Sequence, residues 1–278
     1  MTRIEVDLPN SLLLELDRQA AASAQGRSQM IASILAEHMG ERLHTIFQVS
    51  TSGALVAGVF DREVSVSTLL EHGDFGLGTF AGLDGEMVVL DGVAYQVHGT
   101  GAVKVAAKDA GAPFAAVTRF SADETGCSGT IMDMKTLTEA CDRFRKSENI
   151  FYAIRLDGCF DRISTRAVKP PVEGVGLAEA SKSEGLFSFE DITGTLVGIW
   201  SPAFSSAFSV PGYHFHFISE DHQHGGHLLD IAASDLKVQV NALTDFHLVL
   251  PETEKYLKAD LSQNNADDLA YAEEAHKD

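Results

Sequence analysis

Residues 211–230 read "PGYHFHFISEDHQHGGHLLD", and this single stretch holds five of the chain's eleven histidines. From Tyr213 to Phe217 every second position is aromatic. Residues two apart in a strand share a face, so His214 and His216 project together while Tyr213, Phe215 and Phe217 face the other way. "SEDHQHGG" is a polar, glycine-rich turn, and "HLLDIAA" is the returning strand. A hairpin centred near Asp221 and His222 sets His227 across from His216 on the same face. Three neutral imidazoles then converge, which is the ligand set of a catalytic zinc with one position left open. His222 and His224 lie inside the turn, where no strand geometry aims them, and read as solvated loop. For Asp230 an acceptor role toward an imidazole N–H competes with core filling or surface exposure.

Working outward, the same short-strand texture runs from residue 43 onward. "FGLGTFAGLDGEMVVLDGVAYQVH" predicts a meander with tight turns at Leu83–Glu86 and Leu90–Val93, and "PFAAVTRF" predicts a further strand. "MDMKTLTEACDRFRK" has the period of one amphipathic helix. Strands resume at "IFYAIRLDG", "FDRISTRAV", "GTLVGIWSP", "YHFHFIS", "HLLDIAA", "LKVQVN" and "DFHLVLP". Residues 171–190 read as a loop joining two β-rich halves, 43–170 and 171–278. The expected class is α+β, mainly β.

The first 42 residues differ in texture. "RIEVDL" alternates strictly, with Ile4, Val6 and Leu8 on one face, and Pro9 ends the ladder. Leu12, Leu13, Leu16 and Ala20 recur at helical spacing, and Gly26 breaks that helix. A second helix starts at Ser28, a suitable N-cap, with Met30, Ile31, Ile34, Leu35 and Met39 as its buried stripe. Such a small strand-helix-helix segment cannot bury its own apolar faces, which implies a partner chain and a homodimer or larger homo-oligomer. The order resembles the ribbon-helix-helix family of dimeric DNA binders, whose strand face enters the major groove. Here that face carries Arg3, Glu5 and Asp7, and residues 1–42 sum to a net charge of −2. Phosphate neutralisation has little to work with on such a surface, so a dimerisation segment is the favoured reading and nucleic acid is an unlikely partner.

Composition sets the outer limits. The formal charge of −19 repels nucleic acid, anionic membranes and small anions alike, so an acidic substrate would need a local cation. Cys127, Cys141 and Cys159 form no C-x-x-C pair and are odd in number, which argues against a disulfide framework and a cysteine zinc site. With no long apolar run and an acidic start, "MTRIEVDLPNSLL", the expected location is cytoplasmic. Carbonic anhydrases and cupins use similar histidine sets, so a metal alone does not name the reaction.

Four blocks do name a family: "HGDFGLGTFAGLDGEMVVLDG", "IRLDGCFDRISTRAV", "GTLVGIWSPAF" and "PGYHFHFISEDHQHGGHLLD". In order and separation they resemble the α-acetolactate decarboxylases over residues 43–278. The resemblance implies two β-rich halves with a zinc site between them, and conversion of a 2-hydroxy-3-oxo acid, 2-acetolactate, to acetoin and carbon dioxide. Zn2+ would chelate the hydroxyl and ketone oxygens while an enediolate is stabilised. The zinc ligands implied are His214, His216 and His227. The other implied site residues are Glu86 in "LDGE", Thr79 in "GLGTF", Arg166 in "STRAV", and a tail glutamate in "YAEEA", Glu273 with Glu274 as the alternative. Arg166 would hold the substrate carboxylate or the developing oxyanion, Glu86 or Glu273 would deliver a proton, and Thr79 would orient a ligand or water. Taken alone, Arg166 reads as a surface ion pair, Glu86 as a hairpin residue and Glu273 as a solvated tail. The block 168–190 departs from the family's proline- and glutamine-rich pattern, and residues 1–42 lie outside it. Two rivals remain: a ribbon-helix-helix DNA-binding regulator with a metal-containing metabolite-sensing domain, and a cupin-like or hydrolytic metal site.

Overall fold

In the computed structural model the described residues are 5–22, 26–39, 43–171, 177–180, 184–262 and 269. The chain divides into two compact units, Met1–Leu43 and His44–Asp278. In the first, α1 (Asn10–Ala22) and α2 (Arg27–His38) bury Leu16, Ala20 and Met30 with Leu8 and Ile31 against them. Residues 5–9 form no strand, and residues 1–4, including Arg3, lie outside the described residues. The N-cap of α2 is Gly26 rather than Ser28: the Gln29 side chain reaches back to accept from the Gly26 N–H at 2.9 Å. Ser28 therefore falls in the first turn, where its hydroxyl has no cap to make. Of the expected stripe, Met30 is buried, whereas Ile34, Leu35 and Met39 are 44, 48 and 75% exposed. Two helices have one shared seam, and residues off that seam stay outside it.

Among its described residues the second unit has fifteen strands. They are β1 (Thr45–Val49), β2 (Val64–Ser65), β3 (Phe75–Thr79), β4 (Glu86–Leu90), β5 (Val93–Val97), β6 (Val103–Val105), β7 (Gly111–Ala112), β8 (Phe114–Thr118), β9 (Glu124–Cys127), β10 (Phe151–Ala167), β11 (Gly185–Ser201), β12 (Gly212–Ser219), β13 (Gly225–Ala232), β14 (Lys237–Leu243) and β15 (Asp245–Val249). Five helices accompany them: α3 (Ser52–Val56), α4 (Val66–His72), α5 (Met134–Asp142), α6 (Leu177–Ala180) and α7 (Glu254–Lys258). One sheet runs β15-β1-β8-β3-β4-β5-β6 and the other β11-β12-β13-β10-β14-β9, with β10 also paired to β11. The expected division at residue 170 is not where the sheets divide. β10 precedes that boundary yet joins the histidine strands, and β15 returns from the C-terminal side to pair in parallel with β1.

The segments "IFYAIRLDG" and "FDRISTRAV" form one 17-residue strand, β10. It needs an equally long partner, and β11 supplies it from Gly185 onward, so the last six residues of the expected 171–190 loop are strand. The signal is the alternation in "LFSFE", where Phe187 and Phe189 are half-buried and Leu186 and Ser188 exposed. Asp91 and Gly92 have φ of 50° and 79° and join β4 to β5 as a two-residue turn, the type that Asp-Gly favours. Between β3 and β4 the chain instead takes a longer path through a short 3-10 turn at Ala81–Leu83. α5 is nine residues long and begins at its cap, where the Asp133 carboxylate accepts from the Thr136 N–H at 2.8 Å.

Period-two alternation explains the layering. In β4, Val88 and Leu90 join the core shared with Val197, Ile199 and Ile218 of the other sheet, while Met87 and Val89 pack beneath α4 against Val66 and Leu69. In β12, Ile218 faces that shared core, while Phe215 and Phe217 face the opposite core, which includes Leu137 of α5. The facing sides of the two sheets therefore carry Glu86 and Thr79 from one sheet and His214 and His216 from the other.

Candidate metal centre

β12 and β13 form the hairpin expected from the sequence, with His216 paired directly opposite His227. His214, His216 and His227 are all buried, and one ring nitrogen from each lies within 4.8 Å of the others. His214 Nε2 is 3.1 Å from His216 Nε2 and 3.2 Å from His227 Nδ1. Tetrahedral zinc with Zn–N bonds of about 2.0–2.1 Å requires ligand nitrogens about 3.3 Å apart, so the donor set fits such an ion. His216 Nδ1–H donates to the Met87 carbonyl at 2.8 Å, which leaves Nε2 as the nitrogen with a lone pair turned inward. Burial, helped by the nearby Arg166 charge, lowers the His214 pKa to about 3 and keeps the ring neutral and able to ligate.

Glycine lets the strands come close enough. A Cβ on Gly226 would stand 2.5 Å from the Arg166 carbonyl oxygen, and its φ of 134° is open to few other residues. The β10–β13 register shifts between Ser164 and Thr165, after which Arg166 pairs with His227. The Thr165 hydroxyl donates to the Gly225 carbonyl at 2.9 Å and ties the two strands at that point. Arg166 is thereby set beside the histidines, 4% exposed, rather than on the surface. Its Nη1 donates to Glu184 Oε2 at 2.9 Å.

From the opposing sheet, Glu86 and Thr79 pair across β3 and β4, each 6% exposed. Glu86 Oε2 is 3.7 Å from His216 Nε2, and Oε1 accepts from the Val168 N–H at 3.2 Å. The Thr79 hydroxyl donates to the Gly85 carbonyl at 2.9 Å, in the turn that delivers Glu86. One cavity is lined by the three histidines, Arg166, Glu86 and Thr79, and its apolar wall includes Leu55, Phe114, Val210 and Leu177. Glu273 and Glu274 lie outside the described residues. Leu269 also lines the cavity and is buried.

Other histidines in the hairpin are occupied elsewhere. His222 stacks near Tyr95 at 4.5 Å between ring centroids, and His224 near Phe189 at 4.7 Å. Asp230 accepts from Arg162 at 2.6 Å and is no partner of an imidazole. The partner that sequence reasoning missed is the Met87 carbonyl, a backbone atom with no residue-type signal. Glu184 was missed because it sits in the stretch that read as a connecting loop.

The fold and site define a mainly β protein with a buried three-histidine group able to hold a metal ion, flanked by an arginine and a glutamate. Comparison with known proteins narrows this. The family model for alpha-acetolactate decarboxylase matches residues 46–263. The alpha-acetolactate decarboxylase of Methanosarcina mazei is 40% identical over 232 residues, covering 82% of this chain and 80% of the relative. That of Bacillus licheniformis is 38% identical, covering 84% and 92%. The crystal structure of alpha-acetolactate decarboxylase from Bacillus subtilis superposes with a TM-score of 0.80 at 34% identity, over 83% of this chain and all of that one. The chain belongs to the alpha-acetolactate decarboxylase family.

Proposed function

We propose that this protein decarboxylates 2-acetolactate to acetoin and carbon dioxide at a zinc ion held by His214, His216 and His227. The observation that carries the reading is the convergence of three buried ring nitrogens at the spacing of zinc ligands, in a chain of this family. Zinc supplies a Lewis acid toward vicinal hydroxyl and ketone oxygens when bound. The chain's own residues do the rest. Arg166 takes the carboxylate and offsets the repulsion an anion meets from a chain of charge −19. The bond to that carboxylate carbon breaks, carbon dioxide leaves, and the electron pair moves toward the ketone. A carboxyl group, Glu86 or Glu273 of the tail, then returns a proton to the carbon. Thr79 holds the turn that aims Glu86. The apolar wall takes the methyl groups and keeps water from competing for the proton.

Purified protein incubated with acetolactate should release acetoin and carbon dioxide and contain about one zinc per chain, as a single three-histidine site requires. His214→Ala should abolish both zinc and acetoin formation; unchanged activity would refute the ligand assignment. Glu86→Gln should keep the zinc and lower kcat by about 10²–10⁴-fold, the range for loss of a positioned general acid.

The cytoplasm is the proposed location; among the described residues no helix is long and apolar enough to cross a membrane. A homodimer or larger homo-oligomer formed through the first unit is proposed as well, supported by the exposure of Val6, Leu12, Leu14, Ile34, Leu35 and Met39.

A further inference from the structure

We infer that Glu184 is a positioning residue: it fixes the guanidinium of Arg166 in the orientation that receives the carboxylate of the 2-hydroxy-3-oxo acid, an inference that rests on the decarboxylase reading above. Arg166 lies on β10 opposite Leu186 of β11, and Ala167 lies opposite Gly185, so Glu184 begins where the arginine side chain can reach it. The start of β11 is itself pinned, because a Cβ on Gly185 would stand 2.2 Å from the Gly99 carbonyl oxygen. Nη1 of Arg166 donates to Oε2 of Glu184 at 2.9 Å, with the two side chains only 5 and 9% exposed. Burying two charges is costly unless geometry and hydrogen bonding are good, so a pair this enclosed holds a defined arrangement. It also answers an electrostatic problem. A guanidinium beside a site built for a divalent cation is repelled by it, and a long flexible side chain would swing away. A carboxylate hydrogen-bonded to Nη1 opposes that repulsion and holds the fork in one orientation.

The test uses the full chain with zinc bound, comparing wild type with Glu184→Ala, Glu184→Asp and Glu184→Gln. Calorimetry measures binding of 2-hydroxyisobutyrate and of its uncharged amide, and zinc content and melting temperature are measured alongside. Losing the anchor in Glu184→Ala should weaken the acid about tenfold or more, as for loss of a buried charged hydrogen bond, and change the amide by less than about twofold. Zinc content should not change, and the KM for acetolactate should rise more than kcat falls. Glu184→Asp, one methylene short, should show the same selectivity for the acid, which keeps the test decisive if the alanine variant does not fold. Glu184→Gln, which still offers an oxygen to Nη1 but no charge, should recover only part of the acid binding and fall between wild type and Glu184→Ala. Equal weakening of acid and amide, or wild-type binding in both the alanine and aspartate variants, would overturn the inference. Wild-type protein that forms no acetoin would instead sink the decarboxylase reading, a result distinct from either binding outcome.

Discussion

At the scale of single residues, two of the three histidines are set by their surroundings, one by a hydrogen bond and one by burial. His216 gives its Nδ1 proton to the Met87 carbonyl, so the ring meets a metal through Nε2. His214 reaches neutrality by burial, with its pKa lowered to about 3 from 6.5. The sign of the consequence follows from linkage. Below pH 6.5 the unfolded chain binds a proton that the folded, metal-free chain refuses, so this contribution to stability is complete above that value and falls as pH drops toward about 3. Urea unfolding of chelator-treated protein should show the loss, at up to about 1.4 kcal/mol per pH unit for one such group. A His214→Gln variant should show a shallower acid slope, and an identical slope would speak against the assignment. Thiols give a second residue-scale expectation. Cys141 is fully buried with its pKa pushed up to about 12, whereas Cys127 and Cys159 are exposed. Alkylation of native protein near pH 8 should label two thiols quickly and the third only on unfolding, since the thiolate is the reactive form.

Among the elements, the β12–β13 hairpin was the most legible in sequence. Alternation aimed His214 and His216 to one side, and the turn length set His227 opposite His216, as observed. Arg166, Glu86 and Thr79 came from resemblance, because nothing in a lone strand arginine or hairpin glutamate distinguishes a site from a solvated surface. The β10–β11 arm was under-read: "LFSFE" does alternate, but it directly follows a polar stretch and was absorbed into a loop. Ser28 failed as a cap because α2 already begins at Arg27, with the Met30 N–H donating to the Gly26 carbonyl. Two glycines separate packing from conformation at this scale. Gly226→Ala places a Cβ 2.5 Å from the Arg166 carbonyl oxygen and should cost about 1–3 kcal/mol together with much of the zinc, since β13 carries His227. Gly92→Ala, in a turn with nothing within 4 Å of the added Cβ, should cost about 1 kcal/mol from its positive φ alone and leave zinc content unchanged. Chemical denaturation and metal analysis of the two variants check the contrast.

On the scale of the whole molecule, the inter-sheet core explains why a polar site survives inside an apolar layer. Both sheets present their inner faces to a shared core, and the site sits where those faces carry Glu86, Thr79, His214 and His216 in place of aliphatic side chains. The mainly β class and the small N-terminal segment were readable from texture, whereas sheet membership was not, because β10 and β15 cross the boundary set by the expected 171–190 loop. In the first unit, Ile34→Glu combined with Leu35→Glu should shift the assembly toward smaller species in light scattering and leave acetoin formation per chain within about twofold, because charges buried at an interface are costly while surface changes elsewhere are mild. The three-histidine centre itself is tested most directly by anomalous diffraction from crystals grown with zinc, recorded on both sides of its absorption edge. The account predicts one edge-specific peak about 2.0–2.1 Å from His214 Nε2, His216 Nε2 and His227 Nδ1. A zinc peak bound elsewhere, or none at these rings in protein that still forms acetoin, would contradict it.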